Sequence, residues 1–346
     1  MINSQFHANI GIIAHGDADG ICSAAIIKSK FPGAYVVFSI PSQLHKSIKE
    51  IQRILQTIDT LYIVDIAINT KNQHFILERL KKSIKLFKII YIDNHILPWN
   101  VEYMQKEVIN IDINDYVTTY IQKPEWSSSA LTYATLYGDS FQSIIAHRNM
   151  ALLAGYGAIA DYAKKCSLLK LIIDTWDETS IYYQAFLLKQ ASRLIKSDDL
   201  KRSIADKLSV GILPSEMFEV VEAARESSRE TDVAVKYIMD NAEKYDNLGV
   251  IIECPVGSMG HNAYVSATLT QSPIGVAITR KGGNAVFIIR KQHEVAIHLG
   301  ELATVVSREL NCDGGGEYST AGIISDDNMI IPVLDMMNRY LNKINV

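Results

Sequence analysis

Three apolar, β-branched runs in the first third of this chain each stop at acidic groups, and that repetition limits the available folds more than any other feature. Residues 9–14 (NIGIIA) run into His15, Asp17 and Asp19; residues 61–64 (LYIV) run into Asp65; residues 88–92 (KIIYI) run into Asp93, Asn94 and His95. Short runs that are apolar on both faces suit strands buried in a parallel sheet. The segments between them, 21–30, 42–55 and 73–84, carry helical patterns. Alternating strand and helix predicts an α/β fold with a doubly wound, mainly parallel sheet, which binds ligands beyond the carboxyl ends of its strands. Three acidic strand ends are therefore expected to converge on one crevice.

The rest of the chain changes character twice. At 346 residues it exceeds the size at which single cores stop growing, so two domains are expected. WSSSALTYATLYGD reads as a helix capped by Ser127, Ser128 or Ser129, and the helical stretch 150–162 carries Asp161 among apolar neighbours. From about 182 to 245 the pattern is helical and more charged, as in a connector. Strand character returns at 248–253, and VAITRKGGNAVFIIR at 276–290 predicts a β-hairpin turned at Gly282, Gly283 and Asn284. A helix at 299–310 and the segment CDGGGEYSTAG follow.

Composition narrows the class. Hydrophobic residues at 48% and charged residues at 21% describe a globular chain and not a disordered one. With a formal net charge of -4 there is no global basic field, so nucleic-acid binding must rest on a local patch or on bound metal. Cys22, Cys166, Cys254 and Cys312 are too scattered for a zinc knuckle or a short disulfide framework, which suits a reducing cytosol. The start MINSQFHANIGII lacks a basic n-region and cleavage site, and no apolar stretch approaches the ~18 residues of a membrane span. These features predict a soluble, cytoplasmic protein.

The densest chemistry lies in HGDADG. One imidazole and two carboxylates within five residues repel and desolvate each other unless a cation sits among them. An EF-hand is excluded, because counting from Asp17 puts Cys22 at loop position six and Lys28 at position twelve. A P-loop is excluded because no glycine-rich segment continues into GK[ST]. Taken alone, the motif fits a solvated loop with a helix-capping carboxylate as well as it fits a metal site. Three successive strand ends carrying Asp favour the metal, and carboxylates with imidazoles suit manganese or magnesium better than structural zinc.

HGDADG, Asp65 in IVDIA, the triplet Asp93-Asn94-His95, Asp161 in GAIAD and the late GGGEYSTAG follow one another in the order of the DHH phosphoesterase superfamily, whose archaeal RecJ-like members the chain resembles. The resemblance implies a DHH phosphoesterase domain at 1–181, a helical connector at 182–246 and a smaller α/β DHH-associated substrate domain at 247–346. It also implies hydrolysis of phosphodiester bonds at two metal ions, typically Mn2+, with Mg2+ as the alternative. His15 and Asp17 would bind one metal, Asp19 and Asp161 the other, and Asp65 would bridge both. Asp93 would support the site, and His95 would contact the phosphate or assist protonation.

Two positions depart from the family pattern. Asn94 stands where the family has a metal-binding His, and a neutral amide is a weaker donor. Glu317 stands after the glycines where the family commonly has His, and it would oppose an anion unless turned away or protonated. For substrate, Arg280 and Arg290 on the hairpin, the backbone of Gly314, Gly315 and Gly316, and Ser128 at a helix start are the candidate contacts. A charged edge strand explains the arginines nearly as well. His261 is left without a role. The expected function is a RecJ-like exonuclease on single-stranded DNA or RNA, in replication or repair. Two alternatives stand beside it: a replisome scaffold that binds the GINS complex with weakened hydrolysis, and a phosphoesterase of oligonucleotides or small nucleotides.

Overall fold

The computed structural model of the chain describes residues 9–68, 72–95, 97, 99, 111–292, 294–316 and 318–344, and the chain divides into two compact units, Met1–Arg225 and Glu226–Val346. The first unit is α/β. Its strands are β1 (Ile10–His15), β2 (Tyr35–Ser39), β3 (Thr60–Val64), β4 (Lys88–Asp93) and β5 (Thr119–Gln122), all parallel, in the order β2-β1-β3-β4-β5. The helices between strands are α1 (Ala18–Lys30), α2 (Leu44–Leu55) and α3 (Gln73–Ser83). After β5 come α4 (Ser128–Tyr137), α5 (Phe141–Ala146), α6 (Arg148–Ala160), α7 (Ser167–Thr175), α8 (Glu178–Leu194) and α9 (Asp198–Ser209).

The sheet is covered on both faces. Ile12 and Ala14 of β1 pack into one apolar cluster with Ile21, Ile26, Tyr133 and Leu153, while Ile13 packs into another with Leu44, Ile48, Ile76 and Leu80. The two-residue period of a strand sends neighbouring side chains to opposite faces, which is why these runs show no polar alternation. Helix α1 is buried along most of its length and starts three residues earlier than its apolar pattern suggests, because Asp17 caps it by accepting from the Gly20 N–H at 3.1 Å. Strands β2 and β5 lie outside the sequence expectation. β5 is a four-residue, half-exposed edge strand with little apolar signal.

The division between units falls inside the stretch expected as a connector. Ile181, Ala185, Leu188 and Ala191 of α8, with Ile204, Ala205 and Leu208 of α9, belong to the larger apolar cluster of the first unit. Charge on their outer faces masks that burial in the sequence. Helix α10 (Phe218–Asn241) runs across the division itself.

The second unit holds a mixed sheet in the order β10-β11-β9-β8-β7-β6, made of β6 (Glu243–Tyr245), β7 (Leu248–Ile252), β8 (Ile274–Lys281), β9 (Asn284–Lys291), β10 (Asp313–Gly316) and β11 (Thr320–Asp326). Among its described pairings, only β7 and β8 run in parallel. Helices α11 (Met259–Leu269), α12 (Leu299–Glu309) and α13 (Ile330–Lys343) complete it. The predicted hairpin is present as β8 and β9, and its two-residue turn uses positive φ at Gly282 (59°) and Gly283 (82°). No helix among the described residues is long and apolar enough to cross a membrane.

Candidate metal centre

Register brings the acidic groups together. Ala14 pairs with Val64 and Val64 with Ile92, so the next residue of each strand, His15, Asp65 and Asp93, emerges at the same level of the sheet. Nδ1 of His15 lies 2.9 Å from an Asp17 carboxylate oxygen and 3.9 Å from Oδ2 of Asp65. Nδ1 of His95 lies 2.8 Å from Oδ1 of Asp93, and Gln122 of β5 donates its side-chain amide to the His95 carbonyl. The edge strand thus holds the loop that carries His95.

Among the described residues, two sets of donors lie close enough for a cation. His15, Asp17 and Asp65 form one set and Asp65, Asp93 and His95 the other, each with one ligand atom per residue within 4.8 Å of the rest. Asp65 belongs to both. It is 5% exposed, its Oδ2 has no hydrogen-bond partner, and its backbone is left-handed at φ 59°. An unpaired buried carboxylate oxygen in a strained backbone is costly, and a cation removes the cost. The donors, carboxylate oxygens with imidazole nitrogens and no thiolate, fit a hard divalent ion such as Mn2+ or Mg2+.

Electrostatics agrees with that fit. Burial raises the Asp65 carboxyl well above its ordinary range, and the neighbouring Asp17, Asp19, Asp161 and Asp93 push in the same direction. Burial likewise raises Asp19 to about 6, against the hydrogen bonds it accepts. For His15, burial opposes the charge but the Asp17 carboxylate outweighs it, and the imidazole is raised above its usual 6.5. Burial also opposes the charge of Asp17, yet His15 and the Gly20 N–H hold that carboxyl well below its usual range.

Asp19 and Asp161, expected as the second pair of ligands, lie outside both donor sets. The Asp19 carboxylate accepts the backbone N–H of Ser128 at 2.8 Å and of Ser129 at 3.1 Å, so it sits on the positive end of α4. Gly157 of α6 makes room for it, because a Cβ there would collide with Asp19 Oδ1 and Ser129 Oγ. Ser127 is the N-cap of α4 through its hydroxyl. Ser128, expected to receive a phosphate, is fully buried and its N–H already serves Asp19. Asp161 accepts from the side-chain amide of Asn94, whose oxygen accepts from Ser128 Oγ. Asn94 therefore links Asp161 to α4.

The remaining expected contacts lie in the second unit. Arg280 donates from Nε to Asp327 Oδ1 at 2.7 Å, and its backbone N–H donates to Glu253, which stands at φ 55°. The Arg290 guanidinium packs against Gly260 at the start of α11. Gly314, Gly315 and Gly316 form β10, an edge strand paired with β11. Glu317 lies outside the described residues.

A parallel sheet with a donor at three successive strand ends, followed by a unit built on a mixed six-stranded sheet, is the RecJ-like fold of the DHH-domain proteins. Three solved structures carry the comparison. A DHH domain described as a member of an S1p family of ribosomal proteins superposes with a TM-score of 0.74 at 13% identity, covering 97% of this chain and 87% of its own. RecJ from Thermus thermophilus in complex with Mn2+ gives 0.62 at 16% identity and covers 97% of this chain, which spans 52% of that RecJ. An exonuclease RecJ bound to manganese gives 0.61 at 16% identity, covering 96% of this chain and 89% of its own. No protein-family model and no curated protein sequence matches the chain.

Proposed function

We propose that this chain is a metal-dependent phosphodiesterase that acts as a RecJ-like exonuclease on single-stranded DNA or RNA. One observation carries the reading: Asp65, buried, with an unpartnered carboxylate oxygen, is shared by two sets of cation donors. His15 and Asp17 would hold one ion and Asp93 and His95 the other, with Asp65 common to both. Manganese is the metal we favour, and magnesium suits the same donors. Two bound ions would polarise the scissile phosphate, lower the pKa of a water and offset charge on the leaving oxygen.

The chain's own residues prepare that chemistry. Asp93 orients the His95 ring through the 2.8 Å contact at Nδ1, which fixes the direction in which the imidazole faces the shared Asp65. Asp19 ties the HGDADG loop to α4 and Asn94 ties the His95 loop to the same helix, so both loops rest on one buried support. Incubation of the purified protein with end-labelled oligonucleotides and Mn2+ tests the reading. Release no greater than that of an Asp17→Ala, Asp65→Ala double variant overturns it.

A second reading, a GINS-binding replisome scaffold with weakened hydrolysis, draws on Asn94 alone: an amide whose two ends serve Asp161 and Ser128 replaces an imidazole ligand. A pull-down with GINS subunits tests it, and no binding at micromolar concentration rejects it.

A further inference from the structure

A cavity of about 490 Å³ opens beside the metal centre, shares His15 and Asp17 with it, and is also lined by Gly16 between them. Its size falls in the roughly 300–1,000 Å³ range of small-molecule sites. Its walls differ sharply in chemistry. Phe38 and Ile40, from the end of β2 and the residue after it, give an apolar side; Arg193, Lys196 and Lys201, from α8, the turn after it and α9, give a cationic side.

Lys201 is the most telling member. Its side chain is 13% exposed, and its ammonium lies against Gly16, where a Cβ would collide with Nζ. Among the described residues, its one ion-pair partner is Asp198, 3.9 Å away, beyond hydrogen-bond reach and about half exposed. The same ammonium lies 5.6 Å from the centre of the Phe38 ring, so the cationic and apolar walls meet at this point of the cavity, where an anion would complete the charge. Asp198 and Glu50 also reach the cavity, and both are exposed to solvent. Nothing in the expected ligand set uses Lys201, and the sequence places it inside the stretch expected as a connector.

We propose that this cavity is a nucleotide subsite, in which Lys201 holds a non-bridging phosphate oxygen while Phe38 and Ile40 pack against the sugar and base. The assignment rests on the phosphodiesterase reading and adds to it the size of the bound unit: one nucleoside monophosphate on one side of the scissile bond. Charge alone would accept any anion. The apolar wall beside it selects a phosphate that carries a nucleoside.

Calorimetric titration of the full chain in manganese-containing buffer, with adenosine 5′-monophosphate, inorganic phosphate and adenosine as probes, tests the assignment. The nucleotide should bind more tightly than phosphate, and phosphate more tightly than adenosine. Lys201→Gln should weaken nucleotide and phosphate by about tenfold, as expected for one charge-assisted hydrogen bond, and Lys201→Arg should restore most of it. Ile40→Ser, at a 47% exposed position, removes part of the apolar wall and should weaken the nucleotide and leave phosphate unchanged, so one arm is independent of how the lysine variants fold. Equal nucleotide affinity in the wild type and Lys201→Gln, or no nucleotide binding, overturns the subsite. Manganese binding read on the same samples separates the two readings. Manganese bound without a Lys201-dependent nucleotide rejects the subsite alone, and a Lys201-dependent nucleotide without manganese rejects the metal centre alone.

Discussion

Asn94 donates its side-chain amide to the Asp161 carboxylate at 2.9 Å, joining residues 67 positions apart, and accepts from Ser128 Oγ at 3.1 Å. Both ends of the amide are engaged, so Asn94 acts as a strut. Asn94→Ala should therefore still bind two equivalents of manganese, with stability lower by about 1 kcal/mol for the lost hydrogen bonds. Manganese counted by equilibrium dialysis decides this, and loss of one equivalent would make Asn94 a ligand.

Asp65→Asn should have opposite effects on the metal-free and metal-bound protein. Removing a buried carboxylate from among four others relieves repulsion, so the melting temperature in chelator should rise by a few degrees. Hydrolysis should fall by on the order of a hundredfold or more, because the shared donor of both sets is lost. A lower melting temperature in chelator would contradict the repulsion argument.

Metal-free stability should fall as pH rises. Asp19, raised to about 6, and Asp65, raised well above 3.8, bind more protons folded than unfolded once pH passes about 4. Their contribution is full below 3.8 and is lost through their folded values, and His15, raised above 6.5, adds a loss of the same sign at higher pH. Asp17, held low, acts oppositely, and only as pH falls below its ordinary 3.8. Thermal melts in chelator from about pH 4.5 to 7.5 should show a decline that saturating Mn2+ flattens.

Gly157→Ala should destabilise the protein by about 1–3 kcal/mol, since its Cβ meets Asp19 Oδ1 and Ser129 Oγ in a closed core. The shift in urea midpoint measures it. Gly33, with open space around its Cα, supplies the control, and Gly33→Ala should change the midpoint little.

Asp93→Asn keeps an oxygen for the His95 contact while removing the charge that orients the ring and weakening one donor to the second ion. Hydrolysis should fall by about 10–100-fold. The KM for an oligonucleotide should change much less than kcat, and an effect confined to KM would move His95 from the chemistry to binding.

Much of the sheet was legible because burial on both faces leaves a continuous apolar run, and each such run ended in a donor. β2 was not read as a strand, although YVVFS is equally apolar, because no charged group marks its end. β5 was missed because its half-exposed TYIQ lacks that signal. Helices α8 and α9 read as a connector because their charged outer faces hide the residues that pack inward. The positions of Asp19 and Ser128 were unreadable for another reason: 109 residues separate that carboxylate from the N–H it accepts.

By itself, the sequence determined the alternation of strand and helix, the turn at Gly282 and Gly283, and the fact that His15, Asp65 and Asp93 follow buried strands. Local periodicity and backbone preference act over a few residues, and they write themselves directly into the chain. Only the tertiary structure decided which donors share a cation site. Parallel register set three strand ends level, the α4 N-terminus took Asp19 as its counter-charge, and the packing of α9 carried Lys201 to Gly16. Those pairings depend on where distant segments meet, and Coulomb and hydrogen-bond energies depend on that distance and not on sequence separation.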